Sequence, residues 1–150
     1  MKITKKSILK LFSIFLVSCF LKCCFSCNPI KEKEYYKDKS NYIKATGTID
    51  FINVVEDDAE MYLGFCDLNP KFDDTCFKIV GKNFEIVKNN GIVSKIEIGD
   101  EVEFITAPKY FGDGYIMPIV AISINGESLL DFEDGYENFQ DWLEKPAWKR

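Results

Sequence analysis

Six cysteines and twenty-four carboxylates are the residues of this 150-residue chain that could do chemistry, and no histidine stands among them. Without an imidazole, Ser-His and Cys-His nucleophiles and His-ligated zinc are excluded. No glycine-rich phosphate loop is present either. Cys23, Cys24 and Cys27 form a CCxxC cluster of the kind that holds a metal or does redox work. No second cysteine pair and no histidine completes a four-ligand set around it, so the cluster reads as leader-proximal cysteines without a catalytic role. The acids Glu56-Asp57-Asp58, Glu60 and Asp73-Asp74 fall in turn-forming stretches, where solvated charge is the default. None of their spacings gives the alternating ligands, central Gly and final Glu of an EF-hand loop. The residue types therefore point away from catalysis and imply no cofactor and no dedicated metal.

Two further cysteines and a set of aromatics depend on the elements that carry them. Ile43 to Val55 alternates as a strand, with Ile43, Ala45, Gly47, Ile49 and Phe51 on one face and Lys44, Thr46, Thr48 and Asp50 on the other. Gly47, in mid-strand, predicts a bulge or bend. After the turn at Glu56-Asp57-Asp58, Met61, Leu63 and Phe65 mark a second strand, with Tyr62, Gly64 and Cys66 on its other face. A loop over residues 67–75 leads to a third strand, Cys76 to Val80, with Phe77 and Ile79 inward. Asn83 can cap a short helix through Lys88, closed by Asn90-Gly91. The same Asn90-Gly91 also suits a hairpin turn; the helix is the favoured reading. Gly99-Asp100 opens a fourth strand with Val102, Phe104 and Thr106 on one face, and a last strand covers Tyr115 to Ile124, ended by Asn125-Gly126. Phe132, Tyr136, Phe139 and Leu143 then fall at helical spacing with acids between them, and Pro146 lies beyond.

Three strands, a short helix and two strands is the order of an OB-fold, a five-stranded Greek-key barrel. Thr46-Gly47-Thr48-Ile49, Tyr62-Leu63-Gly64, Cys76-Phe77 and Ile98-Gly99-Asp100-Glu101-Val102 resemble OB modules of the tRNA-anticodon-binding-like group. The resemblance implies a mainly β fold: a barrel with a helix between strands 3 and 4, and the C-terminal amphipathic helix beside it. It further implies ligand contacts on the faces of strands 2 and 3 and on the first and fourth loops. Here those positions offer Tyr62 and Lys78 on the sheet and Lys109, Tyr110, Phe111 and Tyr115 on the fourth loop. The loop aromatics could stack on a ligand or fold back to plug the barrel end. Cys66 and Cys76 flank one loop in the same pleat phase, so they could be cross-strand neighbours joined by a disulfide, or two free thiols. Charge departs from the nucleic-acid role of the group: between Tyr42 and Leu143 there are seven lysines, no arginine and twenty acids. A single-strand groove needs a positive track along the phosphates, so no nucleic-acid partner is expected.

The first residues address the chain. Lys2, Lys5 and Lys6 precede a short apolar run, Ile8 to Val17, too short for a bilayer core of about 30 Å. Leu16-Val17-Ser18-Cys19 resembles the lipobox of bacterial lipoprotein precursors, which implies cleavage before Cys19 and acylation of its thiol. From Cys19 onward 15 basic residues face 24 acids, a formal charge of −9. The expected organisation is a signal peptide over 1–18, a charged flexible tether over 19–41, the barrel with its helix over 42–144, and a tail over 145–150. The expectation is a protein held at the extracytoplasmic face of the cell membrane by an N-terminal lipid, non-catalytic, binding a protein or small polar ligand. The alternative is an accessory subunit that docks through its acidic C-terminal helix.

Overall fold

The computed structural model describes residues 29–73, 75–111 and 115–146. The chain divides into two units, Met1–Lys33 and Glu34–Arg150, and the second holds the fold. The expected signal peptide, the Cys19 lipidation site and Cys23, Cys24 and Cys27 lie outside the described residues.

Strand β1 (Ile43–Val55) is long enough to serve two neighbours. Its first half pairs antiparallel with β4 (Glu101–Thr106), and most of its length with β2 (Glu60–Asn69). Strand β2 pairs with β3 (Cys76–Val80), and β4 with β5 (Ile116–Ile124). A parallel pairing of β3 with β5 closes these five strands into a barrel. Inward residues follow the expected alternation: Met61, Leu63 and Phe65 on β2, Phe77 and Ile79 on β3, and Val102 and Phe104 on β4 are all buried. At the centre Phe65 stacks on Phe104 at 4.7 Å, and Phe77 meets both rings edge-on. Such aromatic pairs add about 0.5–1.5 kcal/mol each beyond their buried area.

The alternation of β1 breaks once. Ile49 pairs with Phe65 but Phe51 with Gly64, so Asp50 is an extra residue bulged out of the ladder. The bulge reverses the pleat phase. Phe51, expected inside, is 49% exposed, while Ile52 and Val54 turn toward the core. A second irregularity lies opposite Gly47, where Thr46 pairs with Asn69 and Thr48 with Cys66, so the extra residue there belongs to β2. Gly47 itself serves close packing: a Cβ would lie 3.0 Å from both Phe65 Cβ and Leu68 Cδ2.

Between β3 and β4 the chain forms helix α2 (Lys82–Asn89) and the short α3 (Ile92–Lys95), the helical alternative rather than the hairpin. Phe84, Val87 and Ile92 face into the barrel core. Asn83 is not the cap. It lies inside the first turn, fully buried, donating to Gly135 O at 2.8 Å and accepting from Asn138 Nδ2 at 3.0 Å. Asn125-Gly126 does not end the sheet. Both residues take positive φ (52° and 81°), the requirement of a tight hairpin turn, and a sixth strand, β6 (Glu127–Leu130), folds back on β5.

Helix α4 (Phe132–Glu144) lies on the outer face of β5. Phe139 and Leu143 join Val80, Ala107, Phe111 and Val120 in a second core. The approach is close enough that a Cβ on Gly135 would sit 1.7 Å from Val120 O. Tyr36, at the end of helix α1 (Pro29–Lys37), belongs to the same core and is fully buried. Its hydroxyl donates to Lys109 O at 2.6 Å, and its own carbonyl accepts from Gln140 Nε2 at 2.8 Å and Tyr42 Oη at 3.0 Å. The tether expected over 19–41 is therefore too long: the folded unit begins at Glu34, before the expected boundary at residue 42. Mixed charge suggested a segment unable to repay its ordering, but Tyr35 and Tyr36 bring enough aromatic surface to fix it.

Candidate functional site

The outward face of β2 and β3 is crossed by two rows of residues in register. Tyr62 pairs with Lys78 in the first row. Lys78 forms an ion pair with Glu60 at 2.5 Å, both side chains almost covered, and its ammonium lies 4.9 Å from the Tyr62 ring centroid. The Tyr62 hydroxyl donates to Glu60 at 2.8 Å, and burial pushes its phenol above the ordinary value. The two sheet residues expected to meet a ligand are thus committed to each other through Glu60. Removing one partner of such a covered pair leaves a charge uncompensated.

The second row is open. Phe51 pairs with Gly64, Gly64 lies beside Cys76, and Cys76 pairs with Ile116. Gly64 gives the row a low floor on which the Asp50 carboxylate rests: Oδ1 lies 2.7 Å from where a Gly64 Cβ would be. A groove of about 510 Å³ follows this floor, walled by Phe51, Leu68 and Phe72 and running to Thr75 and Cys76. At that end the Cys76 amide donates to Tyr115 O at 3.0 Å. Tyr115, 71% exposed, meets Tyr110 edge-to-face at 5.3 Å, and Tyr110 donates to Asp73 O at 3.2 Å.

The fourth loop therefore divides. Tyr110 and Tyr115 stand at the surface. Phe111 folds back into the second core, against Tyr36, Phe139 and Trp142, and is unavailable to a ligand. Lys109 is turned away too: its ammonium sits 4.7 Å over the Tyr35 ring. Phe51 replaces them as a surface residue that the sequence placed in the core, and Asp50, expected on the outer face, stands beside it. The available signal was the switch of apolar parity from Phe51 to Ile52, which marks the inserted residue.

Cys66 and Cys76 are both free thiols. The register that sets Leu63 against Phe77 puts Cys76 beside Gly64, two residues from Cys66, so they are not the direct neighbours a disulfide needs. The Cys66 thiol donates to Thr48 O at 3.5 Å, and that of Cys76 to Leu63 O at 3.6 Å. Burial pushes the Cys76 thiol up.

Among the described residues, the chain's own carboxylates hold Lys44 through Glu103, Lys78 through Glu60, Lys88 through Glu56 and Lys95 through Glu127. Among the described residues no cluster of Cys, Asp and Glu is placed to hold a metal ion. No described helix is long and apolar enough to cross a membrane.

A barrel closed in the order β1-β2-β3-β5-β4, with a helix between β3 and β4, makes this an OB-like protein, its exposed rings (Phe51 on β1, Tyr110 and Tyr115 beside β5) at the two ends of the row that crosses β2 and β3. Searches of protein families, of characterised proteins and of solved structures find no match to the chain.

Proposed function

We propose that the protein is a non-catalytic binding module, lipid-anchored through Cys19 at the extracytoplasmic face of a membrane, whose ligand lies on the β2–β3 face. The observation that supports it best is the open row itself. Phe51, Tyr110 and Tyr115 are exposed around a groove, in a domain whose other aromatics are largely used in packing. Exposed aromatics grouped beside a concavity, rather than scattered singly, are the mark of a contact surface. The acid excess and the pairing of Lys44, Lys78, Lys88 and Lys95 within the fold argue against nucleic acid, whose binding rests on neutralised phosphates. The accessory-subunit reading is weaker, because the apolar stripe of α4 is already buried on the barrel.

A photo-crosslinking residue placed at Tyr115 or at Glu137, on the outer side of α4, separates the two readings in intact envelopes. Adducts at 115 and not at 137 support the sheet face; adducts at 137 alone support docking through the helix; none at either removes both. Mass spectrometry of the mature N-terminus tests the anchor. A diacylated cysteine 19 is expected, and an unmodified N-terminus at another residue would refute it.

A further inference from the structure

We propose that the open row docks a short extended polypeptide segment carrying lysine or arginine, with one cation seated between the Asp50 carboxylate and the Phe51 ring. This rests on the binding reading above and adds the ligand's chemistry.

The fold shows the chosen chemistry twice in its own side chains. Lys78 sits over the Tyr62 ring and pairs with Glu60. Lys39 sits over the Tyr136 ring, 4.8 Å from its centroid, and pairs with Glu133. In both places one ammonium meets a ring face and a carboxylate together, which combines cation–π attraction with a charge-assisted hydrogen bond. The bulge at Asp50 brings the same two groups to the surface side by side: both Asp50 and Phe51 are exposed, and Asp50 has no ion pair among the described residues. At the far end of the row Tyr110 and Tyr115 meet at 86°, two walls of a corner that accepts a cation or an aliphatic stem.

Charge and size agree. The chain from Cys19 onward carries −9, which draws cations and repels acidic partners. Lys78 lies one row away but is neutralised by Glu60, and Lys71 in the loop above stands near the acid Asp73 in sequence. From β1 across β2 and β3 to β5 is three strand spacings, about 14 Å, the length of about four residues of extended chain. A single amine would fill only one end.

The test uses the full chain in detergent, with acetyl-tetralysine-amide as probe, acetyl-tetraglutamine-amide and spermidine as comparisons, and isothermal titration at two salt concentrations. Tetralysine is expected to bind, tetraglutamine not, and spermidine more weakly than the peptide. Asp50→Asn and Phe51→Ala should each weaken tetralysine about three- to tenfold, and both residues are exposed enough that the variants keep the wild-type circular dichroism. Tetralysine binding that falls with salt but ignores both substitutions is diffuse attraction and overturns the proposal, as does no binding at all. Spermidine binding as tightly as the peptide overturns the polypeptide occupant. Tetraglutamine binding equally well, and lost in Phe51→Ala, removes the cation while leaving the aromatic face as a binding surface.

Discussion

Replacing Gly135 by alanine would put a methyl group where the backbone of β5 already is. The added Cβ would lie 1.7 Å from Val120 O and 2.7 Å from Val120 C. Both atoms are backbone of a buried residue in a barrel strand, at the point where β5 skips one residue in its pairing with β4, so they cannot swing aside as a flexible side chain would. Helix α4 must instead retreat by about 2 Å to reach ordinary contact distance. That movement strains the Gly135 carbonyl's bond from Asn83 at 2.8 Å and the Asn138–Asn83 bond at 3.0 Å, in a site where Asn83 is fully buried. An unpaired buried amide costs about 1–3 kcal/mol, and overpacking a further ~1–3 kcal/mol. Alanine returns about 1 kcal/mol through its better helix propensity. The expected net loss is about 1–5 kcal/mol. Urea unfolding of the full chain in a Trp148→Phe background, read through Trp142, which stacks on Phe139 at 6.0 Å, measures it. A variant as stable as the parent, or more so, would show that the helix does not sit this close to the strand.

Two other expectations concern titration and reactivity. Burial holds the Tyr42 phenol well above its ordinary 10.0, so the unfolded chain ionises first; the stability it carries is complete below about pH 10 and lost as pH rises above it. Tyr42→Phe should cost about 1 kcal/mol at pH 8 through its bond to Tyr36 O, yet narrow the gap to wild type at pH 10.5; parallel falls in the urea midpoint would refute this. Iodoacetamide at pH 8 should label Cys66, exposed, before Cys76, half-buried with its thiol pushed up. Equal rates by peptide mapping would contradict the placement of Cys76.

Strand alternation made most of the barrel legible, because Met61–Phe65, Phe77–Ile79 and Val102–Thr106 each bury one side of a two-sided sheet. The helix after β3 was legible as the favoured of two readings. What was hidden is what alternation cannot encode. One inserted residue at Asp50 leaves both halves of β1 alternating correctly and changes only their phase, so Phe51 read as core. The pairing offset that separates Cys66 from Cys76 is likewise a matter of register, set by long-range contacts. The Asn125-Gly126 turn carried a hairpin signal, but Glu127–Leu130 is only four residues and too short to announce itself as a strand. Phe111 and Tyr110 are chemically alike neighbours; which one is buried depends on Tyr36, 75 positions from Phe111 in sequence and hidden in a charged segment.

The placement of Tyr36 also determines where mechanical load enters the domain. A pull along the chain from its N-terminal side reaches Tyr36 before it reaches β1, and the ring is locked under α4 and the fourth loop. Force is therefore borne first by the Tyr36–Lys109 bond and the Tyr136–Lys37 bond, each 2.6 Å, at the root of the loop that presents Tyr110. The long ladder of β1 lies behind this fastening and is spared from being peeled at its end. A barrel fastened in this way takes such a load at the root of the fourth loop before its sheet is opened.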